Sequence, residues 1–304
     1  MRILLATDGS DSAQIAVDLA ASMRWPIGSS VRVVRVVENH SHEVGTQLVM
    51  AAECDLEVVT DRMRERGLRV DHSILRGRAA DEIANDIRAH RPDLVIVGNR
   101  GNSAFDRMLL GSVSAELVDN SPVPVLVARK AAVDRVVVAV DGSSIASEAV
   151  DAVRCWPFLS GAEIRVVTIA PIPVAAWMGL RPGQGALAAD AFTEARSGGI
   201  AESRQFALEA ADALRSVGLD AQPEVRVDAP AGGIVAFADE WSADLIIMGS
   251  HGRTGVVRLV LGSVARNVLH HAGCSVLIVK RHTEPRLVGE LAFGIPAWSV
   301  GASH

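Results

Sequence analysis

The chain has 304 residues, 49% apolar and 22% charged, the balance of an ordinary globular protein with room for two domains of about 150 residues each. A net charge of −6 without any basic run argues against a broad phosphate-tracking surface, so no nucleic-acid role is expected. No window offers about 18 uncharged apolar residues and the apolar stretch before Asp8 is too short for a signal-peptide core, so no membrane span is expected and the cytoplasm is the default location.

In chain order, "RILLAT" (2–7) reads as a β-branched strand, and Ala13, Ala16, Val17 and Ala20 follow at helical spacing. A strand "VRVVRVV" (31–37) comes next, then a polar helix over 43–66 and a strand within "LRVDHSIL". A helix over 79–90 leads to the buried-type strand "DLVIVG", a helix over 112–119 and a last strand "VPVLVAR" (123–129). Strands alternating with helices predict a parallel sheet covered on both faces, with ligands at the carboxyl ends of the strands where strand order reverses.

The whole pattern is written twice. "RILLATDGSDSAQIAVD" (2–18) aligns with "RVVVAVDGSSIASEAVD" (135–151), an offset of 133 that persists through "VRVVRVV" and "IRVVTIA" (164–170). "PDLVIVGNRG" (92–101) aligns with "ADLIIMGSHG" (243–252) at an offset of 151, so the second copy carries 18 extra residues. The Pro-, Gly- and Ala-rich stretch 171–190 is where composition puts them, as a loop leading into a longer helix. The expected architecture is α/β, two tandem doubly wound domains, each with a five-stranded parallel sheet. Their bounds are 1–130 and 134–281, with the insertion near 171–200 and a tail over 282–304. The last strands, 123–129 and 275–281, would be edges in each domain, and exposed edges invite pairing.

Two features recur at strand ends. The first is Asp-Gly-Ser, at Asp8 and Asp141; the second is Gly-x2-Gly-x9-Gly-Ser, at Gly98, Gly101, Gly111 and Ser112 and again at Gly249, Gly252, Gly262 and Ser263. Backbone amides and a hydroxyl at a helix start attract anions, so Gly111, Ser112 and Val113, with Gly262, Ser263 and Val264, would face phosphate oxygens. Gly98, Gly101, Gly249 and Gly252 would let a ligand pass close to the chain. Asp8 and Asp141 would accept from a ribose hydroxyl or an adenine amino group, or would cap the following helix; Ser112 would in the same way serve as an N-cap.

Absent motifs narrow the chemistry. There is no Gly-Lys dipeptide, hence no P-loop; no GxGxxG follows the first strand, and no GxSxG elbow stands at a strand end. Lysine occurs only as Lys130 and Lys280, so a bound triphosphate would be met by backbone amides and by a metal, with Arg100, Arg107, Arg253 and Arg258 either joining them or standing solvated, as surface arginines more often do. Cys54, Cys155 and Cys274 show no metal-ligand or redox spacing and read as packing residues.

A strand ending in Asp-Gly-Ser, followed about ninety residues later by this glycine pattern, resembles the universal stress protein family, here in tandem to about Lys280. The resemblance implies a Rossmann-like fold of the adenine nucleotide alpha hydrolase-like type, ATP, with Mg as its companion ion, as ligand in the subfamily that keeps the glycines, and a role in stress response, dormancy or growth control. It puts adenine and ribose against Ala6, Thr7, Asp8 and Val36, and phosphates against Gly98, Gly101, Gly111, Ser112 and Val113, with Asn99 and Arg100 nearby. In the second copy the matching residues are Ala139, Val140, Asp141, Ile169, Gly249, Ser250, His251, Gly252, Gly262, Ser263 and Val264. There Asp228 stands where the first copy has Gly77, a carboxylate that would repel phosphate if it lay close. Family dimers join through their last strands, so the two domains are expected to pair within one chain, and two chains to form a homodimer with a further protein partner. Three functions remain open: an ATP-binding regulator, an ATP-hydrolysing or nucleotidyl-transfer enzyme with slow turnover at most, and a ligand-independent interaction scaffold.

Overall fold

The computed structural model describes residues 1–38, 42–100, 110–170, 185–252 and 261–280. The first half runs β1 (Arg2–Ala6), α1 (Asp11–Ser22), β2 (Ser30–Val37), α2 (His42–Glu65), β3 (Arg69–Arg76), α3 (Ala79–His90), β4 (Leu94–Gly98), α4 (Ser112–Asn120) and β5 (Val125–Ala128). The second half repeats it as β6 (Arg135–Ala139), α5 (Ser144–Cys155), β7 (Glu163–Ala170), α6 (Gly185–Arg215), β8 (Asp220–Val227), α7 (Pro230–Glu240), β9 (Leu245–Gly249), α8 (Ser263–His271) and β10 (Ser275–Val279). Of the stretch 171–190 expected as a loop, residues 171–184 lie outside the described residues and 185–190 belong to α6; the tail expected over 282–304 also lies outside them.

All strands join one ten-stranded sheet in the order β3-β2-β1-β4-β5-β10-β9-β6-β7-β8. Each half is parallel and doubly wound, with the strand order turning back between β1 and β4 and between β6 and β9. The central strands β4, β5, β9 and β10 are buried at every position, as the continuous apolar runs require of strands covered on both faces.

Two apolar layers result, one on each face, and both run through both halves. Ala16 and Val17 of α1, Leu56 and Met63 of α2, Ala146 and Val150 of α5, and Ala211 and Leu214 of α6 cover one face. Ile83 and Ile87 of α3, Leu117 and Val118 of α4, Ile234 and Phe237 of α7, and Ala265 and Val268 of α8 cover the other.

The halves meet through β5 and β10, paired antiparallel with Leu126 opposite Leu277. Strands that would be edges in separate domains thus lie in the middle of the sheet, and their backbone groups are satisfied internally. Cations from each half seal the other. Arg129 donates from Nη2 to Leu269 O at 2.5 Å and from Nη1 to Cys274 O at 3.3 Å, at the end of α8. Lys280, at the matching offset of 151, donates to Asp119 O at 3.3 Å, at the end of α4. Positive charge at a helix C-terminus is favourable there.

Candidate functional site

The site grows from the turn after the first strand of each half. Gly9 and Gly142 take φ of +78° and +77°, which glycine adopts without strain. Asp8 Oδ1 accepts from the Ser10 amide and Asp141 Oδ1 from the Ser143 amide, each at 3.0 Å. The helix caps are Ser10 and Ser143, whose hydroxyls accept from Ala13 N and Ala146 N at 3.2 Å. Capping therefore falls to the serines, and each aspartate spends one oxygen holding the turn. In the second half the other oxygen faces the glycine pattern: a Cβ placed on Gly252 would fall 2.6 Å from Asp141 Oδ2.

The glycines divide into two roles. A Cβ on Gly98 would lie 2.7 Å from Ser12 O, and one on Gly249 would lie 2.7 Å from Ile145 Cγ2 and 3.1 Å from Ile145 O. These glycines let the start of α1 and of α5 sit on the strand end, a packing reason beyond both the ligand approach and the turn role that the sequence offers for Gly98. The amides of Gly111 and Gly262, expected to face phosphate, turn inward instead and donate to Asn99 O and Ser250 O at 2.8 Å. That bond closes the loop so that its last glycine touches its beginning. Gly111 and Gly262 are themselves the N-caps of α4 and α8, with no side-chain cap, so Ser112 stands one residue inside the helix and is not its cap. First-turn amides lack an intrahelical acceptor, which leaves the amides after each glycine as the donors at the helix start. Ser114 Oγ, buried, donates to Gly98 O at 2.7 Å and ties α4 to the strand end.

In the second half these parts surround a cavity of about 570 Å³ at the carboxyl ends of β6, β7 and β9. Ala139, Val140, Asp141, Ile169, Gly249, His251, Gly252, Gly262, Ser263 and Val264, all expected from sequence, line it. Ser250 does not. It is 3% exposed, donates its amide to Val279 O, accepts from Gly262 N and contacts His251 Nδ1 through its hydroxyl, so it holds the loop from behind. Asp228 is exposed, accepts from the Ala229 amide at 2.6 Å and is not among the lining residues, so the repulsion feared from it has no geometric basis here.

In the first half Ala6 and Thr7 are buried at the end of β1, and Val36 packs on the apolar layer beneath. Arg100 donates its amide to Ser12 Oγ at 3.0 Å, and its carbonyl accepts from Ser10 Oγ at 3.5 Å, so the two motifs are in contact. Gly101, Arg107, Arg253 and Arg258 lie outside the described residues. Among the described residues two buried side-chain polar atoms have no hydrogen-bond partner, Asn99 Oδ1 in the first half and Thr168 Oγ1 in the second. Such atoms cost stability unless a ligand or water meets them.

Several lining residues escaped sequence reasoning: Thr168 on β7, Glu202, Ser203 and Phe206 on α6, and Ile234 on α7. The offset between copies was their one available signal, since Phe206 aligns with Asp55, but nothing in the sequence placed α6 over the turn at Gly142.

Among the described residues no helix is long and apolar enough to cross a membrane. A crystal structure of a universal stress protein from Archaeoglobus fulgidus superimposes with a TM-score of 0.65 at 22% identity, covering 92% of this chain and 98% of that one; at this identity it shows the fold alone. Universal stress protein Slr1230 of Synechocystis is 23% identical over 307 residues, spanning 90% of this chain and 98% of its own. Universal stress protein MJ0531 of Methanocaldococcus jannaschii is 34% identical over 148 residues, 48% of this chain and 82% of its own. The universal stress protein family matches twice, over residues 1–129 and 132–280, and the chain belongs to that family.

Proposed function

We propose that this protein binds ATP at the strand ends and acts as a regulator or sensor in stress response, dormancy or growth control. The observation that carries the reading is the cavity of about 570 Å³, in which the residues of two separate repeated motifs converge around a helix start. Its walls suit the parts of a nucleotide. Ala139, Val140, Ile169, Ile234 and Met248 offer apolar surface to a base, and Asp141 offers a carboxylate to hydroxyl or amino donors. The start of α8 offers Ser263 and the adjoining amides to phosphate. In the first half Asp8, Asn99, Arg100, Gly111, Ser112 and Val113 would do the same work.

Magnesium would arrive with the triphosphate, and Asp141 and Glu202 are the carboxylates among the described lining residues. Those residues include neither lysine nor arginine, so any hydrolysis would proceed without a lysine or arginine from this set. The reading is therefore a binding protein in the cytoplasm, with turnover slow at most.

Mass spectrometry of small molecules released from the purified chain, with titration calorimetry of added ATP, tests it. ATP should be found or bound, and Gly262→Glu, which drives a long acidic side chain toward Ser250 O and His251 at the mouth of α8, should remove the second-half share. A nucleotide-free protein with no heat of ATP binding would refute the proposal.

A further inference from the structure

The two crevices differ beneath the second helix of each half. In the first, Arg35 of β2 and Asp55 of α2 form an ion pair directly over the Asp-Gly-Ser turn. A Cβ on Gly9 would meet Arg35 Nη1 at 3.2 Å and Asp55 Oδ2 at 3.3 Å, so the pair fills that space. The repeat offsets of 133 and 151 place Thr168 and Phe206 at the same two positions in the second half. There the ring of Phe206 covers Gly142, with Cζ 2.4 Å from where a Cβ would stand. The guanidinium and the carboxylate are both gone, and the cavity extends between β7 and α6 along Thr168, Ser203, Glu202 and Phe206. Thr168 is 2% exposed, lines this space, and its hydroxyl has no partner. Ser203, 6% exposed, lines it too.

We propose that the space beneath α6 is a subsite, absent from the first half, which receives a donor-bearing aromatic or amine substituent on the nucleoside end of an adenine nucleotide. The inference rests on the nucleotide reading above. The described polar groups here are the carboxylates of Asp141 and Glu202 and the hydroxyls of Thr168 and Ser203, which accept as well as donate, so a hydrogen-bond donor finds more matching groups here than an anion does. The Phe206 ring suits an aromatic or cationic group, the character of the guanidinium that occupies the first half. Asp141, assigned to the nucleoside, adjoins Gly142 under Phe206, so the nucleoside end is the one that borders the subsite. The two sites of one chain would then differ in specificity: the first excludes substituted nucleotides with its own side chains, and the second admits them.

The test uses ATP and ATP esterified on its ribose with N-methylanthranilate, a fluorescent aromatic amine, titrated onto the full chain. The wild type should bind one equivalent of the analogue per chain, and Gly262→Glu should remove it. Thr168→Arg with Phe206→Asp, rebuilding the first-half pair, should weaken the analogue by at least about tenfold while ATP changes by less than about threefold. Retained ATP binding shows that this variant folds. Thr168→Val, which keeps the shape and deletes the hydroxyl, should weaken the analogue by about two- to tenfold. Arg35→Thr with Asp55→Phe should raise the stoichiometry to two. If ATP binds and the rebuilt pair leaves the analogue unaffected, or if Gly262→Glu still binds the analogue at full strength, the subsite is refuted and the nucleotide reading stands. If ATP does not bind the wild type at all, both fall.

Discussion

Arg129 and Leu269, 140 residues apart and in different repeats, are joined by a 2.5 Å hydrogen bond from the guanidinium to the last turn of α8. The same guanidinium reaches Cys274 O, and burial, the largest influence on it, pulls its pKa down to about 10. A cation is held out of water here because two carbonyls at the seam need donors. Arg129→Met should cost about 1–2 kcal/mol, the worth of charged hydrogen bonds less the desolvation it relieves. Urea denaturation followed by tryptophan fluorescence measures this, and a variant as stable as the wild type would show that the antiparallel strand pair alone holds the halves.

Gly98→Ala separates the packing role of the first glycine from any ligand role. The added methyl would meet Ser12 O at 2.7 Å and Ala13 N at 2.9 Å, both backbone atoms that cannot swing aside. A loss of about 1–3 kcal/mol is expected in nucleotide-free protein. Thermal unfolding with and without ATP would read it; a change seen only with ATP present would contradict the packing account.

Asp86 of α3 accepts a two-pronged contact from Arg32, through Nε at 2.9 Å and Nη2 at 2.9 Å, and its side chain is 4% exposed. Arg32 also reaches Asp71, whose side chain is 63% exposed. Asp86→Ala should cost about 3 kcal/mol by stranding a mostly buried guanidinium, whereas Asp71→Ala should cost under about 1 kcal/mol. Equal losses in denaturant titrations would overturn that ranking. The second half has no such pair: Phe237 aligns with Asp86, and Arg226 lies over its ring at 5.1 Å.

Burial pushes the Cys274 thiol up to about 11 from its ordinary 9.0, whereas Cys54 and Cys155 are exposed. At pH 8 two thiols should react with a thiol reagent quickly and the third only on unfolding. Because the folded pKa is raised, the native thiol keeps its proton where the unfolded one loses it. This contribution is whole below pH 9 and is lost as pH rises through 11, roughly 2–3 kcal/mol in all. Stability measured from pH 8 to 11 should therefore fall more steeply in the wild type than in Cys274→Ala; parallel curves would count against it.

A homodimer of such chains, expected from the family resemblance, would need a surface other than the last strands, because β5 and β10 already satisfy each other. The outermost strands of the sheet are β3 and β8.

The sequence by itself determined the duplicated α/β plan. Periodicity and β-branched runs marked the elements, and the predicted helix over 79–90 coincides with α3. It also determined that the Asp-Gly-Ser turn and the glycine pattern would lie side by side, because both stand at the carboxyl ends of adjacent parallel strands. It did not determine what each gathered atom does. The amide of Gly111 turns to Asn99, the serine at position 10 and not Asp8 caps α1, and Gly98 is small for the sake of Ser12. The Ser10 cap is a contact within one helix turn, but the other two outcomes depend on contacts between separate elements that no local pattern encodes. The largest decision left to tertiary structure is what lies over each turn, an ion pair above Gly9 and a phenylalanine above Gly142, because only the packing of α2 and α6 on the sheet brings residues so distant in sequence to the same place.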